Sequence, residues 1–131
     1  MKVVIFALPL LVSACAIAPE RMAAESDLEV CRSYGTFRAS GVWAASAASY
    51  ETEVRKRGLI TEEEWRLIAD KKIQTGMSRC AMYAAFGKPD RENRTVGSGR
   101  ERVQHVFNSG YRYIKAYYIY TENNRVTAWQ D

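Results

Sequence analysis

A single histidine limits the chemistry open to this chain. His105 is the only residue of its type. A two-histidine zinc site is therefore out of reach, and a Ser-His-Asp arrangement would need an activated serine that no local motif supplies. His105 lies between Val103 and Phe107 in strand-like sequence, where a packed or partly exposed ring is the ordinary outcome. Cys80 is the other candidate nucleophile, but it lies in an apolar helical stretch, and such surroundings raise a thiol pKa rather than activate it. Glu62, Glu63 and Glu64 cluster at the positive end of a helix, which accounts for them, and no spaced histidine or further carboxylate completes a metal site there. Arg91, Arg94, Arg100 and Arg102 could rim a site for an anionic ligand such as peptidoglycan or lipopolysaccharide. Their division between loop and strand positions makes a solvated rim the simpler reading. The residues carry no catalytic, metal or cofactor set, so a non-enzymatic protein is expected.

The N-terminus is more informative. Lys2 precedes the apolar run Val3 to Leu11, which is too short to span a bilayer and leads into Val12-Ser13-Ala14-Cys15. A positive start, a short apolar core and small residues before a cut site describe a secretory signal peptide. The tetrapeptide also resembles a bacterial lipobox, in which Cys15 is lipidated and becomes the first residue. Residues 1–14 are then the signal peptide, and residues 15–25, whose Ala16 to Ala24 stretch holds Pro19, two charges and small side chains, read as a lipid-proximal tether. The alternative is ordinary cleavage after Ala14, Ala16 or Ala18, which would leave a soluble periplasmic protein. Ala16 is not the aspartate that resembles an inner-membrane retention signal, so outer-membrane placement facing the periplasm is expected, with the membrane contacted through the N-terminal lipid.

Cysteine usage agrees with export. The chain has three cysteines. If Cys15 carries lipid, Cys31 and Cys80 remain as a pair in an oxidising compartment. They either form a disulfide or stay as two buried thiols. The formal charge of +4 falls to +3 when Lys2 leaves with the signal, a value far too small for nucleic-acid binding, which export also argues against.

The elements that must position these residues follow from pattern. One domain fits residues 26–131, helical over 26–87 and a β meander over 91–130. Asp27 to about Arg38 places Leu28, Val30, Cys31, Tyr34, Gly35 and Phe37 on one arc at helical spacing, with Cys31 on the buried side. An alanine-rich helix from Ala44 to Arg57 ends at Gly58. Thr61 and Glu64 form a capping box, with Ile60 and Trp65 as a hydrophobic staple, and predict a helix from Glu62 to about Ile73. Ser78 and Gly87 bracket a short helix whose side chains from Cys80 to Phe86 are apolar nearly all round, the element on which the others should pack. Strands are expected over Glu92–Val96, Glu101–Phe107, Tyr111–Tyr120 and Val126–Gln130, the last pair joined by a tight turn at Asn123 and Asn124. With those two residues as the turn, Tyr118 falls opposite Trp129 and Ile119 opposite Ala128. One face then carries Tyr117, Ile119, Val126 and Ala128, and the other Tyr118, Tyr120 and Trp129. Either the sheet is covered on both sides, the expected arrangement, or the aromatic face is open and Tyr118, Tyr120 and Trp129 meet a partner.

Ile73-x-x-Gly76-Met77, a short helix, Gly87-x-Pro89 and a meander ending in an asparagine-containing hairpin resemble the SmpA/OmlA (BamE-like) pattern of outer-membrane lipoproteins. The resemblance covers about Ile73 to Trp129. It implies α+β architecture, N-terminal helices packed on a three- to four-stranded antiparallel sheet, related to β-lactamase-inhibitor-like domains. The chain departs from that pattern in its long helical region before Gly76, and Ala16 to Ser26 holds no match to the lipid-proximal motif associated with partner contact. Arg57-Gly58-Leu59-Ile60, Trp65, Asn93-Arg94-Thr95 and the ending Thr127-Ala128-Trp129-Gln130-Asp131 resemble a set of small bacterial lipoproteins with no assigned activity. The function expected is that of a lipid-anchored envelope adaptor binding an envelope protein or peptidoglycan. The alternative is a periplasmic inhibitor or small anionic-ligand-binding module.

Overall fold

The computed structural model describes residues 17–108, 110 and 115–131. Cys15 and the lipobox lie outside the described residues, as do residues 111–114, where the third strand was expected to begin. Five helices precede four strands: α1 (Pro19–Ala24), α2 (Asp27–Ser40), α3 (Ala44–Arg57), α4 (Glu62–Ala69), α5 (Arg79–Phe86), β1 (Arg91–Gly97), β2 (Arg100–Phe107), β3 (Tyr117–Glu122) and β4 (Arg125–Gln130). The strands form one antiparallel sheet in the order β1-β2-β3-β4. The protein is α+β, with its helices N-terminal to the sheet, as the sequence pattern predicts. No helix among the described residues is long and apolar enough to cross a membrane.

Local chemistry sets the helix ends. Ser26 and Ser78 cap α2 and α5 through side chains that accept from Glu29 N and Ala81 N. Thr61 and Glu64 form the full capping box of α4. That helix stops at Ala69 rather than running to Ile73. Lys71 adopts a left-handed conformation with φ 52°, and Lys72 N and Lys71 N bond back to Leu67 O at 2.9 Å and Ile68 O at 3.1 Å. This is a Schellman closure in which lysine occupies the usual glycine position. Arg38 Nη2 donates to Ile68 O at 2.9 Å and satisfies the same end. The segment expected to be a tether is not all loose chain: α1 docks Met22 into the core, and Arg57 donates to Met22 O at 2.9 Å and to Glu25 O at 2.9 Å.

α5 is the centre of the packing. Ala81, Met82, Tyr83 and Ala84 are fully buried, because the helix lies against α2, α4 and the sheet. Cys31 of α2 and Cys80 of α5 are joined as a disulfide with Cα atoms 5.2 Å apart, which decides between bridge and free thiols in favour of the bridge. Closing a loop of 49 residues stabilises the fold by about 4 kcal/mol on the loop-entropy argument. Before α5, Gly76 N donates to Val126 O and Val126 N to Met77 O, both at 2.8 Å. This segment covers part of the β4 edge, which would otherwise present unpaired backbone groups.

The β3–β4 hairpin departs from simple pairing. Asn123 and Asn124 form the expected turn, with φ 47° and 65°, and Glu122 pairs with Arg125 and Thr121 with Val126. A bulge then intervenes, so that Tyr120 pairs with Ala128, Ile119 with Trp129 and Tyr118 with Gln130. One inserted residue moves every later side chain of β4 to the other face. Trp129 therefore shares the helix-covered face with Tyr117, Ile119, Thr121 and Val126, whereas Ala128 joins Tyr118 and Tyr120. The expected aromatic trio is split.

Candidate functional site

The chemistry-bearing residues converge where α2 and α5 meet the sheet. Register brings them together: Glu92 on β1 lies opposite His105 on β2, and Val103, two residues earlier, lies opposite Thr121 on β3. Alternation turns Glu92, His105 and Thr121 toward the helices. Arg79 and Tyr83 are i,i+4 neighbours on α5, and Arg32 reaches in from α2.

Glu92 is the hub. Its Oε1 accepts a very short hydrogen bond from the Tyr83 hydroxyl, a bond from Arg32 Nη2 at 3.2 Å, and lies 3.3 Å from His105 Nδ1. Its Oε2 accepts from Arg79 Nη2 at 3.0 Å. Arg79 also donates from Nε to Tyr83 Oη at 2.9 Å and from Nη1 to Glu101 Oε1 at 3.1 Å. His105 Nε2 lies 2.9 Å from Thr121 Oγ1. An ionised carboxylate only accepts, so a neutral His105 facing Glu92 carries its proton on Nδ1, and Nε2 then accepts the Thr121 hydroxyl. The Arg32 guanidinium stands 4.6 Å above the Tyr83 ring, while the His105 ring meets Tyr83 edge-on at 5.6 Å.

The electrostatics follow from these contacts. Burial opposes ionisation of Glu92, but hydrogen bonds from His105 and Tyr83 and the charge of Arg79 outweigh it and lower its pKa to about 2. Burial and the bond to Glu92 raise the Tyr83 pKa, with the neighbouring arginines opposing. At the far end of the sheet, burial and the charge of Asp90 push Tyr117 up to about 12.

In order of contact, Thr121, His105 and Glu92 reproduce a hydroxyl–imidazole–carboxylate relay. Access rules against its use as one: His105 is 0% exposed and Thr121 2%, so no substrate atom reaches either. Cys80 is held in the disulfide and offers no thiolate to His105. The network ties strands to helices, with every Glu92 oxygen partnered.

The four arginines of the expected rim do not form one patch. Arg94 faces the helix side and donates from Nε to Glu101 at 3.0 Å. Arg100 and Arg102 share Glu122 at 3.4 and 3.3 Å, and Arg91 is exposed. Glu62 and Glu63 are exposed, whereas Glu64 turns inward, accepts from Ser78 N at 2.7 Å and ties the start of α4 to the start of α5.

The other face of the sheet carries no helix among the described residues. A row of polar side chains crosses all four strands there. Asn93 Nδ2 donates to Gln104 Oε1 at 2.8 Å, Gln104 Nε2 to Tyr120 Oη at 3.1 Å, and Tyr120 Oη to Gln130 Oε1 at 3.5 Å. Tyr118 and Tyr120 are half-buried in this face. Trp129 instead borders a cleft on the helix side with Ile73, Phe86 and Tyr117. No family model, curated protein or solved structure matches the chain.

Sequence reasoning weighed His105 and the arginines separately and missed Glu92, Tyr83, Arg32 and Thr121 as their partners. The only available signal was strand register. Glu92 and His105 fall opposite each other once the turn is centred on Ser98 and Gly99.

Proposed function

We propose that this protein is a lipid-anchored component of the bacterial envelope, similar to SmpA/OmlA lipoproteins, that binds another envelope component and catalyses no reaction. The observation that carries this reading is the helix-free sheet face, where Tyr118 and Tyr120 sit beside a hydrogen-bonded polar row. Half-buried tyrosines held in fixed positions offer contact area at little entropic cost, a property favoured at interfaces. The disulfide supports export to an oxidising compartment, and the sealed His105 supports a binding role over a catalytic one. Anchoring through Cys15 rests on the lipobox, and the outer-membrane assignment on Ala16 standing where an inner-membrane retention signal would have aspartate.

Photo-crosslinking amino acids placed at Tyr118 and Tyr120 in intact cells test the face, with Trp129 as the comparison site. Discrete adducts at Tyr118 or Tyr120 are expected; adducts confined to Trp129 would move the interface to the helix side. Cys15→Ser is expected to release the protein from the membrane fraction, and unchanged fractionation would remove the anchor from this account. The alternative of an inhibitor or anionic-ligand module rests on Arg100 and Arg102 at one end of the same face. A soluble enzyme recovered from solubilised envelopes would favour it over a membrane-bound partner.

A further inference from the structure

Four large apolar side chains are exposed among the described residues, and two are consecutive: Val42 at 79% and Trp43 at 52%. They form the turn between α2 and α3. Trp43 also lines an open, mainly apolar groove of about 940 Å³ together with Phe37, Tyr50, Ile17 and Ala18. Ile17 is the first described residue and lies two positions after Cys15, within about 7 Å along an extended chain. The groove therefore brings the exposed tryptophan together with Ile17 and Ala18, the first described residues.

We infer that the Val42–Trp43 turn rests in the membrane interface beside the lipidated N-terminus, so that the lipid and the tryptophan together set the domain's orientation on the bilayer. The inference rests on the lipid-anchor reading. Tryptophan suits the boundary between headgroups and acyl chains, its ring buried and its N–H hydrated. Charge agrees: residues 30–50 contain no aspartate or glutamate, only Arg32 and Arg38 among charged side chains, so nothing on this turn is repelled by anionic headgroups. Of the carboxylates on the groove wall, Glu29 is paired with Arg32 at 2.6 Å, while Glu25 accepts the Tyr50 hydroxyl at 2.8 Å within the groove, whose lining also holds Arg21.

The test uses the lipidated full chain in vesicles of phosphatidylethanolamine and phosphatidylglycerol whose acyl chains carry bromine near the headgroup. Brominated lipid is expected to quench tryptophan emission in wild type, and Trp43→Phe is expected to lose that lipid-dependent quenching. Trp129→Phe, at the cleft with Ile73 and Phe86, should retain it. Co-flotation with vesicles is scored separately. A protein that floats but is quenched equally with and without Trp43, or loses quenching in Trp129→Phe, overturns the inserted turn while leaving the anchor intact. A wild-type protein that does not float overturns both. Trp43 emission that is blue-shifted without lipid and insensitive to bromine would place the ring in a protein contact and overturn the inserted turn.

Discussion

Gly35 of α2 and Gly87 at the end of α5 meet backbone to backbone. A Cβ on Gly35 would stand 2.9 Å from Gly87 Cα and 1.9 Å from Tyr83 O. The helices are clamped by covalent and steric means on successive turns, since Cys31 lies one turn before Gly35 and Cys80 one turn before Tyr83 and Ala84. The close approach places Tyr83 where it can meet both Arg32 and Glu92.

Gly35→Ala therefore forces backbone against backbone, which no side-chain rotation relieves. Urea unfolding should show a loss of about 3 kcal/mol, and a loss below about 1 kcal/mol would mean the helices separate easily. Gly87→Ala fails for another reason. Its Cβ would find ordinary contacts at 3.4 Å, but φ 79° and ψ −159° belong to a region nearly closed to side-chain-bearing residues, at a cost of about 1–3 kcal/mol.

Removing the disulfide tests how much of the helical half depends on it. Cys31→Ser with Cys80→Ser should lower stability by about 4 kcal/mol, chiefly by freeing the unfolded chain. Reductant should lower the melting temperature of the wild type and leave the double variant unchanged. Two thiols labelled in natively exported, non-reduced protein would contradict the bridge.

Helix caps and the hairpin turn were legible in the sequence because each depends on residues within a few positions of one another. Thr61 with Glu64, Ser78 with Ala81, and Asn123 with Asn124 all behave as their types require. Two features were not legible. The bulge between Tyr120 and Thr121 carries no signal in the turn residues, lies beside Val126 where β4 bonds to Gly76 and Met77, residues distant in sequence, and reverses the face of Trp129. The Glu92 network depends on long-range register and on the Gly35–Gly87 approach. No local pattern distinguishes Glu92 from an exposed carboxylate on an edge strand.

The pH dependence of stability should carry the signature of Glu92. Its folded pKa of about 2 lies below the ordinary value of 4.5. The unfolded chain therefore binds the proton more tightly, and the stabilising contribution is present above pH 4.5 and lost as pH falls through about 2. Glu92→Gln should cost about 3 kcal/mol at neutral pH by leaving Arg79 and Arg32 without their shared carboxylate. It should also flatten the decline across that acidic window. Urea midpoints measured for both proteins over the window check this, and parallel declines would show that Glu92 titrates alike in both states.

Asn123 separates backbone conformation from hydrogen bonding in the turn. Its φ of 47° is left-handed, and its Oδ1 accepts from Glu101 N at 3.0 Å, while its own N–H donates to Glu101 O at 2.9 Å. The turn is thereby pinned to β2, beside the carboxylate that Arg79 and Arg94 share. Asn123→Gly keeps the conformation and loses the side-chain bond, so it should cost about 1 kcal/mol. Asn123→Ala loses the bond and also strains the left-handed backbone, so it should cost about 1 kcal/mol more than the glycine variant. Equal losses in urea unfolding would assign the whole effect to the bond. A glycine variant as stable as wild type would assign it to the backbone.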